Sequence, residues 1–321
     1  MQISHSIVSE SYLRELVEKR YSLGDTVECT YLLQGLNDSY LIQSNGYKYI
    51  FRIYRYGRRT LDAINSEIQY VSYLDSKSSL VAGLISNKHG EVLIAFDCPE
   101  GKRYGFLMQC AANTEVESHC ILTGASHAYG QSIAKIHKHS AGFNPQHSVN
   151  EIDVNRLIWK PISLIEKYFP DVDISHIYAV AKNVSEKLSN LDLQKLTKSY
   201  IHGDVTGGNA CLSNNNEYIF FDFDCFGYGW LAYDLSIFYW SVLLCQKDEQ
   251  LWRDFIDGYR SINELCILDL SAIPLLVMAR HFWIIGYSIE QMSIKGKLSY
   301  KINRLEQDIQ FLKMLEDKQN W

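Results

Sequence analysis

Residues 201–209 read Ile-His-Gly-Asp-Val-Thr-Gly-Gly-Asn, and residues 218–224 read Tyr-Ile-Phe-Phe-Asp-Phe-Asp. In both stretches polar side chains follow a short apolar run, and polar loops on an apolar frame commonly carry function. A short loop after a strand can point the Asp204 carboxylate and the Asn209 amide at one site. The next strand can return the Asp222 carboxylate to that site. Hard oxygen donors of this kind suit Mg2+, so the pattern predicts a cation site.

The part of the chain before these residues has the pattern of a β-sheet. Apolar residues alternate at period two from residue 27 to residue 33, and two apolar runs flank Asn45-Gly46, a strong signal for a β-hairpin. Apolar residues at spacings of three or four follow Thr60, a suitable N-cap, and predict a helix. Two further strands fall near residues 91–96 and 104–110. We therefore expect a five-stranded antiparallel sheet with one main helix.

Beyond residue 123 the spacing of apolar residues becomes helical. Stripes at intervals of three and four residues predict helices over 125–139, 174–191, 251–259, 274–292 and 302–315. The second part of the chain is therefore expected to be mainly helical. Together with the predicted sheet, this makes the fold class α+β.

Composition places the chain among ordinary globular proteins. Of its 321 residues, 47% are hydrophobic and 21% are charged, which argues against a disordered or fibrous protein. The formal net charge is -6 and no basic block is present, so no nucleic acid is expected as a partner. The eight cysteines include no Cys-x-x-Cys pair, which argues against a zinc ribbon or a disulfide framework.

No segment has the pattern of a membrane anchor. The first ten residues lack the basic and apolar regions of a signal peptide. The richest apolar stretch, residues 267–289, is interrupted by Asp269, Arg280 and His281. We therefore expect a cytoplasmic protein that does not bind a membrane.

The tripeptide at residues 202–204, with Asn209 five residues after the aspartate and Asp222 further on, resembles a known family. It is similar to the aminoglycoside phosphotransferase and choline-kinase-like family of the protein-kinase-like fold, in which His-Gly-Asp replaces the His-Arg-Asp of protein kinases. Residues 227–235 resemble that family's Gly-x-x-x-Tyr-Asp-Leu segment. The resemblance is nearest to bacterial phosphotransferases that include homoserine-kinase-like and stress-kinase-like members.

The resemblance implies a two-lobed protein-kinase-like fold that uses ATP and Mg2+. Residues 1–111 would form the N-terminal ATP-binding lobe, and residues 112–321 the helical lobe with the catalytic loop and the acceptor site. Asp204 would accept the proton of the acceptor hydroxyl, while Asn209 and Asp222 would hold Mg2+.

Three further residues are expected to support this site. His202 opens the catalytic loop. Asp224 fits either the metal shell or a hairpin cap, and both readings stay open. Asp234 lies at a predicted helix start and is expected to brace the catalytic loop.

The resemblance also implies a cation that contacts the ATP phosphates from a strand. Kinases use a strand lysine paired with a helix glutamate, and the corresponding residues here are Arg52 and, fifteen residues later, Glu67. Arginine is a planar fork and lysine a compact point charge, so the two are not interchangeable. Lys48 lies four residues before Arg52 on the same face of the strand and is the second candidate.

Backbone contacts to the nucleotide are expected at two further places. Gly35, Asn37 and Ser39 lie between the first two strands, where a kinase has its glycine-rich loop. The stretch has one glycine, so it fits a phosphate-covering loop and a plain hairpin turn equally well. Gln109 and Cys110 fall at the expected hinge between the lobes and would offer backbone groups to adenine.

The function predicted from the sequence is transfer of the γ-phosphoryl group of ATP to a hydroxyl of a small molecule, such as an aminoglycoside or an amino alcohol. The segment between Asp222 and the helix predicted from Tyr233 is too short for an activation segment and a peptide shelf, which favours a small acceptor. Two alternatives remain. One is a protein Ser/Thr kinase of the stress-kinase-like type, and the other is a nucleotide-binding pseudokinase, which Arg52 and the glycine-poor loop motivate.

Overall fold

A computed structural model describes residues 3–24, 26–111, 125–191, 195–213 and 215–319. The chain divides into two compact units. The first unit consists of Met1–Val116, Phe143–Val149 and Ala210–Asp224, and the second of Glu117–Gly142, Asn150–Asn209 and Cys225–Trp321. The lobe boundary expected between residues 111 and 112 adjoins residues 112–124, which lie outside the described residues, so that division stays a prediction.

The first unit contains an antiparallel sheet of six strands within the described residues: β1 (Glu28–Gln34), β2 (Asp38–Ser44), β3 (Tyr47–Ile53), β4 (Leu84–Ile85), β5 (Leu93–Cys98) and β6 (Gly101–Gln109). The strand order is β1-β2-β3-β6-β4, and β5 pairs with β6. The predicted α+β class is confirmed, with one strand more than the five expected. Strand β4 has only two residues, too few to show an alternating pattern.

The hairpin between β2 and β3 turns where the sequence predicts it. Asn45 and Gly46 both have positive φ, at 49° and 80°. Two successive positive values are the mark of a type I′ turn, whose twist matches that of the flanking strands. The turn sets the register in which Ser39 pairs with Arg52.

Two helices lie in the described part of the first unit, one more than expected. Thr60 caps α2 (Leu61–Asp75) as predicted, by accepting from the Ala63 backbone N–H at 3.2 Å. Helix α1 (Glu10–Arg20) was not predicted, because only Leu13 and Val17 of its residues are buried and the rest are largely polar. Those two side chains belong to the apolar core of the sheet.

The described residues of the second unit form seven helices: α3 (Ser126–Ser140), α4 (Lys160–Tyr168), α5 (Ser175–Asn190), α6 (Leu231–Leu244), α7 (Gln250–Arg260), α8 (Ile267–Lys295) and α9 (Ile302–Gln319). A π-helical turn at Asn155–Trp159 leads into α4. The predicted helical character of this part of the chain is confirmed.

Between these helices, the part of the chain that the structure describes forms five further strands: β7 (Glu151–Ile152), β8 (Lys198–Ile201), β9 (Ala210–Leu212), β10 (Tyr218–Phe220) and β11 (Gly227–Trp230). Strands β7, β11 and β8 form a small sheet in the second unit. Strands β9 and β10 form a hairpin that belongs to the first unit, where Phe220 exchanges backbone hydrogen bonds of 2.8 and 2.9 Å with Leu80 and Ala82. This hairpin carries Asp222 and Asp224.

Helix α8 is the core helix of the second unit and packs against α4, α5, α6 and α9. Among the described helices it is the one long and apolar enough to cross a membrane, but the charged residues that interrupt it, Asp269, Arg280 and His281, are all buried inside the unit. Asp269 accepts from the backbone and hydroxyl of Thr197 at 2.9 and 2.8 Å. The apolar surface of α8 is thus used for packing within the protein.

Helices α3 and α7 approach each other backbone to backbone. A Cβ atom added at Gly130 would lie 2.0 Å from the Phe255 carbonyl oxygen, and one added at Gly258 would lie 2.0 Å from that of His127. Only glycine permits this approach. It brings His137 of α3 against the Tyr259 ring of α7, with ring centroids 5.6 Å apart.

Candidate active site

The loop that carries Asp204 begins where β8 ends. Gly203 has a φ of 78°, and a Cβ atom there would lie 2.4 Å from the Cys225 carbonyl oxygen. Both observations require glycine at this position. The glycine lets the chain turn sharply, so that Asp204 stands just beyond a buried strand end.

A buried carboxylate braces this loop. Asp234, in the first turn of α6, accepts from the backbone N–H groups of His202 and Gly203 at 2.9 and 2.8 Å. Its Oδ2 atom also lies 3.1 Å from His137 Nε2, and His137 Nδ1 lies 2.9 Å from the Tyr259 hydroxyl. Asp234 thus has the geometry needed to brace the loop. His137 contacts its carboxylate and is itself held by Tyr259, across the α3–α7 contact.

The Asp204 side chain is oriented by its own loop. Asn209 Nδ2 donates to the Asp204 backbone oxygen at 2.9 Å and to carboxylate Oδ2 at 2.8 Å. His202, which is fully buried, accepts from the Asp204 backbone N–H at 3.2 Å through Nδ1. Asp204 keeps 25% of its side chain exposed. The structure thus brings Asp204, Asn209 and His202 together, and their catalytic roles remain predictions.

Arg280 of α8 is a further contact of Asp204. Its guanidinium pairs with Asp204 Oδ1 and lies 3.4 Å from the Gly203 carbonyl oxygen. Burial opposes the charged form, but Asp204 and Tyr233 hold the pKa of Arg280 above its ordinary value. One feature of the sequence points to this residue, a charge that interrupts an apolar helix, but it does not indicate the partner.

The first unit contains a second group of charged residues, which we call the arginine–carboxylate cluster: Arg52, Arg58, Arg59, Glu67, Asp222 and Asp224. Arg52 contacts three carboxylates, Glu67 at 3.1 Å, Asp222 at 3.1 Å and Asp224 at 3.0 Å. Arg59 bridges Glu67 and Asp224, and Arg58 pairs with Asp224. Sequence reasoning missed Arg58 and Arg59, which lie in a loop with no periodic signal.

The two aspartates of the cluster have different surroundings. The Asp224 side chain is 3% exposed, whereas that of Asp222 is 48% exposed. Burial alone would raise the pKa of the Asp224 carboxyl, but Arg52, Arg58 and Arg59 hold it well below its usual range. Asp224 is thus an ion-pair centre, while Asp222 remains accessible.

Asp222 also has an uncommon backbone conformation. Its φ is 62°, in the left-handed region that non-glycine residues rarely occupy and that asparagine and aspartate tolerate best. Such conformations concentrate at functional sites, where the surrounding structure maintains them. Here the β9–β10 hairpin before it and the buried Asp224 after it fix the chain on both sides.

Arg52 and Lys48 differ in how far their side chains are buried. Arg52 is 4% exposed and its guanidinium lies over the Tyr54 ring, 5.3 Å from the centroid. Lys48 is exposed at the start of β3. The structure therefore brings Arg52, and not Lys48, to Glu67.

The residues between β1 and β2, for which a phosphate-covering loop and a plain hairpin turn are both predicted, have few free groups. Gly35 has ordinary space around a Cβ position, the nearest atom being Leu33 Cδ1 at 3.4 Å. Asn37 is buried, and its amide oxygen is placed to accept from Arg52 Nε at 2.9 Å. Ser39 is half-buried opposite Arg52 on β2. This turn packs onto the arginine–carboxylate cluster.

The two hinge residues use their backbone donors within the first unit. The Gln109 N–H donates to the Gly83 carbonyl at 2.8 Å, and the Cys110 N–H donates to the Lys48 carbonyl at 3.2 Å. These N–H groups therefore continue the pairing of β6 with the segments on either side of it. A role in adenine binding would fall to other atoms of this segment.

The chain belongs to the phosphotransferase enzyme family, whose model matches residues 32–265. The match runs from within β1 to the residues after α7, and it includes Asp204, Asn209 and the arginine–carboxylate cluster. The family resemblance drawn from residues 201–235 is confirmed, and the chain is a kinase-type phosphotransferase.

Individual relatives agree with this assignment. A Deinococcus radiodurans protein of unassigned function is 30% identical in an alignment of 290 residues that covers 88% of this chain and 82% of that protein. The solved structure of the amicoumacin kinase hAmiN in complex with AMP-PNP, Ca2+ and Ami has a TM-score of 0.78 at 23% identity, covering 97% of this chain and 94% of that chain. A microcompartment-associated aminopropanol kinase has a TM-score of 0.72 at 18% identity, covering 95% of both chains. The two structures confirm the kinase-like fold.

Proposed function

We propose that the chain transfers the γ-phosphoryl group of ATP to a hydroxyl group of a small amino alcohol or a related polyhydroxylated amine. The acceptor oxygen forms a bond to the γ-phosphorus, and the bond from that phosphorus to the β–γ bridging oxygen breaks. The electron pair of the broken bond leaves with ADP, and the hydroxyl proton passes to a carboxylate oxygen of Asp204.

The observation that carries this proposal is the placement of Asp204. A group that accepts a proton must be reachable by the substrate and fixed in direction. Asp204 meets both conditions, because a quarter of its side chain is exposed and Asn209 holds one carboxylate oxygen at 2.8 Å. The buried Asp234 keeps the loop itself in place.

The donor groups also fit a divalent cation at Asp222 rather than at Asp224. Asp222 offers a half-exposed carboxylate, whereas Asp224 is already surrounded by guanidinium groups. Asn209 uses its amide nitrogen on Asp204, which leaves Oδ1 as the atom suited to a cation. Among the residues that the structure describes, no three His, Cys, Asp or Glu side chains form a metal-binding group, so water and phosphate oxygens would complete the shell. When bound, the cation neutralises charge on the phosphates.

Arg52 is proposed to take the place of the strand lysine. It pairs with Glu67 as that lysine does, and it also contacts the accessible Asp222. A guanidinium can bind phosphate oxygens through two parallel hydrogen bonds. Arg52 is therefore suited to the triphosphate side of the nucleotide.

A small acceptor is favoured by the segment that follows Asp222. A 3-10 turn at Phe223–Cys225 and strand β11 occupy this segment, and α6 begins at Leu231. In protein kinases a long activation segment builds the platform for a peptide at this point of the chain. The amicoumacin and aminopropanol kinases named above support the same choice, since both names refer to small molecules.

The test is a phosphorylation screen. The purified chain is incubated with γ-labelled ATP and Mg2+, with aminopropanol, amicoumacin, other amino alcohols and a set of folded proteins as separate acceptors. Label transferred to an amine-containing small molecule supports the proposal. Label on protein serines alone would favour a protein kinase, and tight ATP binding without transfer to any acceptor would favour a pseudokinase.

A further inference from the structure

Arg280 is the one buried charge of α8 that contacts Asp204. Its guanidinium pairs with Oδ1, while Asn209 takes Oδ2, so both carboxylate oxygens are held from different directions. We propose that Arg280 is a positioning residue, which fixes the Asp204 carboxylate in the rotamer that receives the acceptor hydroxyl. This inference rests on the proposed function.

The guanidinium is itself held in place. It lies over the rings of Trp240 and Trp283, with its central carbon 5.3 and 4.5 Å from the two centroids. The residue is 1% exposed. Cation–π contacts on a desolvated guanidinium are strong enough to fix its plane.

Trp240 is fixed in turn by a hydrogen-bonded histidine. The Trp240 indole N–H can only donate, so His281 Nδ1 accepts from it at 3.3 Å. His281 Nε2 then carries the proton and donates to the Asp308 carbonyl at 2.9 Å. Burial lowers the pKa of His281 to about 4, which agrees with this neutral form.

Stability alone does not account for an arginine here. A buried guanidinium loses much of its hydration free energy, and replacing a buried ion pair by apolar groups of similar volume is often neutral or stabilising. The site also has two large aromatic neighbours that an apolar side chain would pack against. A buried charge placed on the candidate general base is explained better by function.

The contact also has a geometry that lysine cannot reproduce. Arg280 directs one nitrogen at Asp204 and another at the Gly203 carbonyl, so it ties the carboxylate to the backbone of its own loop. An ammonium is a point charge without this fork. Misplacing a reacting group by about 1 Å can cost on the order of 100-fold in rate.

The experiment compares Arg280→Lys and Arg280→Ala with Arg304→Ala as the matched control. Arg304 is an exposed arginine of α9 that lies 3.6 Å from Asp308. With the acceptor found in the screen, both Arg280 variants are expected to lose about 100-fold in kcat. The KM for ATP should stay near that of the wild type, and Arg304→Ala should behave as wild type.

Guanidinium rescue separates positioning from a structural role. Millimolar guanidinium can enter the space between Trp240 and Trp283 in Arg280→Ala and is expected to restore part of kcat, whereas urea should not. Neither millimolar guanidinium nor urea stabilises folded proteins in general, so a merely structural defect would not be repaired. If Arg280→Ala does not fold, Arg280→Lys carries the test through its kcat and KM.

The outcomes distinguish this inference from the proposed function. Wild-type kcat in Arg280→Lys, or no rescue of a folded Arg280→Ala, would overturn the role of Arg280 while phosphoryl transfer by the wild type still stands. A wild-type chain that transfers phosphate to no acceptor would overturn both.

Discussion

The arginine–carboxylate cluster and the Asp204–Arg280 pair use the same two kinds of charged group in different ways. In the cluster, Asp224 meets three guanidinium groups and Arg52 meets three carboxylates. In the second unit, Asp204 has one guanidinium and one amide. A carboxylate surrounded by several guanidinium groups has little capacity left for a substrate, whereas one with few partners keeps lone pairs that a substrate can use.

Exposure follows the same division. Asp224 is buried at 3% exposure, while Asp222 and Asp204 keep 48% and 25% of their side chains exposed. The chemistry is therefore expected at the two accessible aspartates, and stability is expected to depend on the buried one. The following substitutions test this division.

The largest effect is expected for Asp204→Asn. The amide keeps the shape of the side chain but cannot accept a proton, so turnover should fall by about 1,000-fold or more. ATP binding, measured by calorimetry, and the unfolding midpoint should change little. Turnover close to that of the wild type would rule out Asp204 as the proton acceptor.

The two aspartates of the cluster should separate binding from stability. Asp222→Asn removes an accessible anionic ligand and should weaken Mg2+-dependent ATP binding by about tenfold or more. Asp224→Asn removes the centre of a buried ion-pair group and should lower the free energy of unfolding by about 3 kcal/mol. Calorimetry and urea unfolding measure the two quantities. The division fails if Asp222→Asn binds ATP as the wild type does.

The next effect compares two cations on β3. Arg52→Ala should raise the KM for ATP or lower kcat by about tenfold, because it removes a charged hydrogen bond worth about 1.5–3 kcal/mol. Lys48→Ala serves as the control and should change neither quantity, since its side chain is exposed and away from Glu67. The reverse pattern would show that the nucleotide uses Lys48.

The smallest effect is a difference in pH dependence between the two regions. The pKa of His281 is lowered from 6.5 to about 4, so the unfolded chain binds the extra proton first and stability falls as pH drops from 6.5 to 4. The lowered pKa of Asp224 affects stability at more acidic pH. The stabilisation that Asp224 contributes is complete above pH 3.8 and is lost only as pH falls below that value. Urea unfolding of the wild type and His281→Gln across this range measures the difference. Equal slopes between pH 6.5 and 4 would contradict the assignment to His281.

Local signals predicted much of the fold. The Asn45-Gly46 turn, the Thr60 cap and the loop that brings Asn209 to Asp204 each depend on neighbouring residues, and each is present. Helix α1 and strand β4 were missed, because the first buries two residues and the second has only two. Short or weakly amphipathic elements depend on tertiary packing that a local pattern does not contain.

Contacts between residues distant in sequence account for the rest. Arg52 and Lys48 have the same parity on β3, and only burial tells them apart. Arg280 contacts a residue 76 positions away. A charge inside an apolar helix shows that a partner must exist, but the partner is fixed by how α8 packs in the folded unit.

The first unit is assembled from separate stretches of the chain, and this affects how the protein is synthesised. Leu80 and Ala82 leave the ribosome long before their hydrogen-bonding partner Phe220. At about 5–20 residues per second, the roughly 140 intervening residues take on the order of ten seconds to translate. During that time, the backbone groups of Leu80 and Ala82 lack the hydrogen bonds that Phe220 later provides. A truncated product that ends before residue 210 would therefore contain Arg52 and Glu67 but neither aspartate of the cluster.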